Sequence, residues 1–167
     1  LETEHMDVYK QDMVLEGGSI HTDGQGTLLT TEECLLHHTR NPHLSKNQIE
    51  ENLKQYLGVE KVICRLKGVY LDDVNGHVDN LCCFIKPGVV DLAWTDDIND
   101  PQYAISQQAY EVLAHEKDAQ GRKFEIHKIH LPKPLYATEE EYASLESTKE
   151  GKKLIEPGKR LTASYIN

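Results

Sequence analysis

One order of elements is written twice in this sequence, and that repetition limits the folds open to it. The first copy begins with a short strand candidate at residues 18–22, Gly18-Ser19-Ile20-His21-Thr22. The turn Asp23-Gly24-Gln25-Gly26 leads into a second strand, Thr27-Leu28-Leu29-Thr30-Thr31. Asp-Gly between β-formers is a strong hairpin signal. A helix follows, with Ser45 as N-cap and Gln48 three residues on to close a capping box. Ile49, Leu53 and Leu57 give it one apolar stripe, Glu50 and Lys54 form an i,i+4 pair on the outer face, and Gly58 is the expected stop. Lys61-Val62-Ile63-Cys64 then reads as a buried strand.

The second copy repeats the plan. Leu81-Cys82-Cys83-Phe84-Ile85 is a strand, Lys86-Pro87-Gly88 a turn, and Val89-Val90-Asp91-Leu92-Ala93-Trp94 the next strand. Asp100 caps a helix with Pro101 at its first position, where a missing N–H costs nothing. Ile105, Ala109, Val112 and Leu113 line its apolar face. Residues 124–131 form the last strand, whose alternation slips between Ile126 and Ile129, as a bulge or burial on both faces would require. Strand–strand–helix–strand thus recurs at a period of roughly 60 residues, the mark of supersecondary units set in an array or ring. Such units need neighbours to cover their edges. Residues 132–157 read instead as a long polar loop, with a short helix near 139–145, of the kind that serves as a lid. Residues 161–167 turn apolar and strand-like again, and both ends fit a piece of a longer chain.

A chain of 167 residues with mixed aliphatic and charged residues suits one globular domain. A net charge of −10 disfavours nucleic acid and anionic lipid and favours cationic ligands at long range. No apolar run approaches the roughly 20 residues needed to cross a bilayer. The polar, acidic first residues carry no export signal, so a cytoplasmic location is expected. Cys34, Cys64, Cys82 and Cys83 form no Cys-x-x-Cys pair and sit in strand-like stretches, as reduced, buried thiols do.

Two short stretches carry the polar groups most suited to chemistry. In Glu16-Gly17-Gly18-Ser19-Ile20-His21 a carboxylate precedes two glycines, which allow a sharp turn or a close backbone approach. In Asn75-Gly76-His77-Val78-Asp79-Asn80, preceded by Asp72 and Asp73, His77 and Asp79 are two apart and face one way in an extended chain. An imidazole and a carboxylate on one side make an acid–base site or half of a metal site, with Glu16 or His21 as the third metal ligand. A structural histidine with an aspartate neighbour fits the same pattern. Of the remaining histidines, His37, His38, His43, His127 and His130 read as surface or structural groups, and Trp94 and Phe84 read as core.

Glu16-Gly17-Gly18-Ser19-Ile20-His21 with Asp23-Gly24, then Arg40-Asn41-Pro42-His43, then Asn75-Gly76-His77-Val78-Asp79-Asn80, then Trp94-Thr95-Asp96-Asp97 before Asp100-Pro101-Gln102-Tyr103 resemble the agmatine deiminases of the guanidine-modifying pentein superfamily. The resemblance runs from about residue 13 to the end of the chain. It implies an α/β propeller of five ββαβ blades, of which residues 1–167 would be a single incomplete catalytic domain, about two blades and part of a third. It also implies a reaction with no cofactor. A cysteine thiolate attacks the guanidinium carbon of agmatine, ammonia leaves, and water releases N-carbamoylputrescine on the way to putrescine. By that resemblance His77 is the acid–base, Glu16 and Asp79 grip the guanidinium, and Asp73 holds the distal amine where the family often has a longer Glu.

Some positions depart from the family pattern. Cys64-Arg65-Leu66 replaces Trp-Leu-Pro, and Val74 stands where Thr is common. The family's Gly-Gly-Gly-Asn-Ile-His-Cys nucleophile motif does not occur in these residues, and neither Cys82 nor Cys83 has a basic neighbour to activate it. The chain by itself is therefore expected to be inactive, while the full-length enzyme would act on a small cationic substrate and has room for a homo-oligomer. The competing readings are a non-catalytic remnant that binds cationic amines or partner chains, and a peptidyl-arginine deiminase-like enzyme.

Overall fold

The computed structural model describes residues 7–144, 156–161 and 166. Each of the two sequence copies folds into a three-stranded sheet of the same topology. In the first, β1 (Ile20–Thr22) pairs antiparallel with β2 (Thr27–Thr31), which pairs in parallel with β3 (Lys61–Leu66). The crossover from β2 to β3 carries a short helix α1 (Glu32–Leu35) and then α2 (Lys46–Leu57). In the second, β4 (Cys82–Lys86) pairs antiparallel with β5 (Val89–Trp94), α3 (Pro101–His115) makes the crossover, and β6 (Glu125–His130) pairs in parallel with β5.

Local chemistry sets most of these boundaries. Ser45 and Gln48 form the reciprocal capping box at α2, and Gly58 ends it. Asp100 accepts from the Gln102 amide at α3, with Pro101 in the first turn. Asp23 Oδ1 accepts from the amides of Gln25 (2.8 Å) and Thr27 (2.9 Å), which closes the β1–β2 turn. The expected Glu50–Lys54 pair gives way to other partners of Glu50. Glu50 is approached by Lys46 at 3.9 Å and by the Cys64 thiol at 3.0 Å.

Every residue of β2 is buried, because both its faces are covered. Leu28 points into a core with Leu35, Ile49, Leu53 and Val59, under α2. Its neighbour Leu29 points the other way and joins Ile63 and Leu66 in a second core with Leu81, Phe84, Leu92, Trp94, Ala109 and Leu113. That second core therefore belongs to both units. The three threonines of β2 are fully buried, and each fastens a distant segment. Thr27 Oγ1 accepts from Ala119 N (2.9 Å), Thr30 Oγ1 donates to Ser19 O (2.7 Å), and Thr31 Oγ1 donates to Gly76 O (2.5 Å) while accepting from Cys34 N to cap α1.

The structure departs from the sequence expectations where long-range contacts decide. Residues 17–19 form a 3-10 turn, so the first strand starts at Ile20. Cys34 lies on α1 and not in a strand, while all four cysteines are free and buried. Leu57 is exposed at the end of α2. β6 is neither bulged nor buried on both faces. It keeps continuous register with β5 and is largely exposed, with Lys128 placing its ammonium 3.6 Å from the Trp94 ring centroid. The apolar position is thus filled by a lysine stem. On α3 the fully buried polar pair Gln102 and Ser106 was not foreseen. Gln102 accepts from Tyr70 N (2.8 Å) and donates to Ser106, which donates to Ala93 O (2.8 Å). The polar C-terminal stretch contains α4 (Glu139–Ser144) and a small ladder of β7 (Leu135–Tyr136) with β8 (Arg160–Leu161). Most of the strand expected over 161–167 lies outside the described residues.

Thr31→Val keeps the shape of the side chain and removes both hydrogen bonds. It should destabilise the chain by about 1–3 kcal/mol in urea unfolding, since the Gly76 carbonyl and the first turn of α1 each lose a partner. The same change at exposed Thr39 should have little effect.

Candidate active site

Glu16 stands immediately before the 3-10 turn Gly17–Ser19. Its carbonyl accepts from Ser19 N (3.1 Å) and Ser19 Oγ (2.6 Å), and Ser19 O is in turn held by Thr30. The carboxylate is therefore carried on a turn pinned to a fully buried strand. His77 arrives from the segment that joins the two units, at the end of an acidic loop. Asp72 shapes that loop: its Oδ2 accepts from Gly76 N (3.0 Å) and His77 N (2.9 Å), and its Oδ1 from Asn80 Nδ2 (3.2 Å). Gly68 lets the loop close on itself, since a Cβ there would lie 2.0 Å from Gly76 Cα.

These two supports bring the predicted groups together. His77 Nε2 hydrogen-bonds Glu16 Oε2. His77 Nδ1 and Asp79 Oδ2 both lie over Gly18, where an added Cβ would meet each at 2.5 Å. The pairing of His77 with Asp79 does not come from an extended chain, because residues 78–80 form a 3-10 turn. Gly18 makes the convergence possible by offering no side chain, so the close approach here is to protein groups and not to a ligand. Asp73 is separate: it is exposed and holds Lys159 Nζ at 2.7 Å.

Arg40 is the group that sequence reasoning placed only in a motif. Its Nε (3.2 Å) and Nη2 (2.7 Å) both donate to Glu16 Oε2, and Nη2 also donates to Val74 O (2.7 Å). The Arg40 hydrogen bond first, and that of His77 second, hold the Glu16 carboxyl below its ordinary value. Glu16 is thus an anion at neutral pH, with a hydrogen-bonded imidazole beside it.

His21 does not join this group as a ligand. Its Nδ1 accepts from Phe84 N (3.1 Å), which ties β1 to β4. Burial lowers its pKa, against an opposing pull from Asp79, so it is a neutral structural acceptor. Among the described residues, Glu16, Cys34 and His77 are the one group whose donor atoms lie close enough to share a metal ion, within 4.8 Å of one another. The set fits poorly. Arg40 already places a positive charge on the shared Glu16 oxygen, and burial pushes the Cys34 thiol up to about 11, so it is protonated. Burial also pushes the thiols of Cys82 and Cys64 up, the latter to about 12. None of these three is a ready nucleophile.

What remains is a site with an anionic carboxylate, a second carboxylate and an imidazole, suited to a planar cation with several N–H donors. Known proteins resemble this chain along its whole length. Agmatine deiminase of Medicago truncatula is 57% identical over 168 residues, covering 100% of this chain and 45% of the relative. Agmatine deiminase of Pseudomonas fluorescens is 52% identical, over 100% of this chain and 45% of its own length. The solved structure of agmatine deiminase of Enterococcus faecalis superposes with a TM-score of 0.84 at 45% identity, covering 98% of this chain and 45% of that one. The chain thus spans a little under half the length of the relatives it matches. Residues 1–167 match throughout the family described as Porphyromonas-type peptidyl-arginine deiminase, and to that family this chain belongs.

Proposed function

We propose that this chain supplies the guanidinium-gripping half of an agmatine deiminase, making N-carbamoylputrescine and ammonia in the route to putrescine. The observation that carries the reading is the convergence of Glu16, His77 and Asp79 around Gly18. Glu16 and Asp79 accept from the guanidinium nitrogens. Two carboxylates match both the charge and the planar donor pattern of that head. Asp73 is read as the partner of the distal amine, which would have to displace the Lys159 ammonium that Asp73 holds at 2.7 Å.

In the reaction, a thiolate from residues beyond this chain attacks the guanidinium carbon. The tetrahedral adduct collapses as His77 delivers a proton to the departing nitrogen, which leaves as ammonia. His77 then accepts a proton from water as it attacks the amidino-thioether carbon. The C–S bond breaks, and the thiolate and the carbamoyl product are released. The two ββαβ units are read as two blades of a pentein propeller and residues 1–167 as a single incomplete catalytic domain, for which their shared topology is the support. The enzyme is read as cytoplasmic. A peptidyl-arginine substrate is the second reading, favoured by the description of the matching family. Competition between agmatine and a peptide ending in arginine, at the same site, separates the two.

The purified chain should bind agmatine in calorimetry without releasing ammonia. Glu16→Gln should weaken that binding about tenfold or more, as loss of a charge-assisted pair does. Absence of agmatine binding would count against the reading, and sustained ammonia release abolished by His77→Ala would show that the nucleophile lies within these residues.

Gly18→Ala should abolish binding in a chain that still folds, because its methyl group would displace both the His77 ring and the Asp79 carboxylate.

The part of binding that depends on the Glu16 anion should be lost only below 4.5, the ordinary value of a Glu carboxyl. The Glu16 pKa is depressed in the fold, so the anion persists above its unfolded value and is lost as pH falls through the lower folded one. Calorimetry across this range checks the midpoint.

A further inference from the structure

We infer that Arg40 is a positioning residue for the reaction just proposed: its buried guanidinium holds one oxygen of Glu16 against His77 and leaves the other to the substrate. The inference rests on that reading of the site and concerns a group that the reading does not itself use.

Three observations carry it. Nε and Nη2 of Arg40 both reach Glu16 Oε2, the same oxygen that His77 Nε2 engages. A fork of two donors on a single oxygen fixes the rotation of the carboxylate, which a single-point contact does not. The exposures are also unequal: the Arg40 side chain is 8% exposed and that of Glu16 41%. The cation therefore approaches from inside the protein, and the carboxylate faces outward, so Arg40 supports Glu16 from behind and does not occupy the place of a substrate. Finally, Nη2 also donates to Val74 O, in the loop that delivers His77. One guanidinium thus ties the Glu16 turn to the His77 loop. Among the described residues Nη1 has no hydrogen-bond partner, so the described hydrogen bonds of this buried cation fall on those two segments.

The neighbouring residue strengthens the same support. Asn41 accepts from Val14 N (2.9 Å) and donates to Val14 O (3.0 Å), pairing with the backbone two residues before Glu16. Arg40 and Asn41 thus hold the side chain and the approach strand of the same carboxylate. A lysine at 40 would offer a point charge without the fork, so charge and orientation can be separated by substitution.

The test is the titration of the Glu16 carboxyl by carbon NMR in the unmodified chain, Arg40→Met and Arg40→Lys, with agmatine affinity measured by calorimetry against pH. In the unmodified chain Glu16 should titrate below 4.5. In Arg40→Met the midpoint should rise, agmatine affinity should fall about tenfold, and its pH profile should move upward with Glu16. Arg40→Lys should recover part of the titration shift but little of the affinity. A folded Arg40→Met with an unchanged Glu16 midpoint, affinity and profile would overturn the inference. If the midpoint moves on substitution while the unmodified chain takes up no agmatine, the positioning stands and the agmatine reading falls. If Arg40→Met does not fold, Glu16→Gln replaces it. The Arg40 Nε–H should be protected from exchange in the unmodified chain and lose that protection in the variant, and its persistence there would overturn the inference.

Discussion

The site depends on a single strand that has no solvent-facing side. Burial of β2 on both faces forces its polar residues to find partners, and each threonine does so at long range. Thr30 holds the turn that carries Glu16, and Thr31 holds the glycine that precedes His77. The two catalytic candidates therefore sit on loops 61 residues apart in the chain yet are referenced to adjacent residues of one rigid element. A loop-borne site gains precision when its loops are tied to a packed scaffold in this way.

Much of this was legible in the sequence because it is local. The capping box at Ser45 and Gln48, the Asp100–Pro101 start and the strand Val89–Trp94 depend on residues a few positions apart, and the structure keeps each of them. Glu16, His77 and Asp79 were also readable, through motif and residue type. Their supports were not. Arg40 lies 24 residues from Glu16 and 34 from Val74 in the chain, and no periodicity links such positions. Asp72 looked like one more acid in an acidic loop until its hydrogen bonds to Gly76 and His77 were seen. β6 was misread for a different reason: Lys128 covers Trp94 with its stem, so a charged residue performs an apolar task that a hydropathy pattern cannot register.

The site also shows how an acidic chain manages its charge. The net charge of −10 sets a field that attracts cations, but the useful anion is one carboxylate held in a fixed geometry. A buried arginine next to the proposed cation site looks counterproductive. It is not, since it takes one oxygen and keeps Glu16 ionised to lower pH, at the cost of part of the negative potential.

The second core contains Leu29, Ile63 and Leu66 of the first unit beside Leu92, Trp94 and Leu113 of the second. The two copies are therefore not beads on a string. Neither can open its share of that core without exposing apolar surface on the other, so amide exchange deep in β2 and in α3 should follow one shared opening event. The repeated order of elements is visible in the sequence, but the packing makes each copy a wall of the other's core, so loosening one should loosen both.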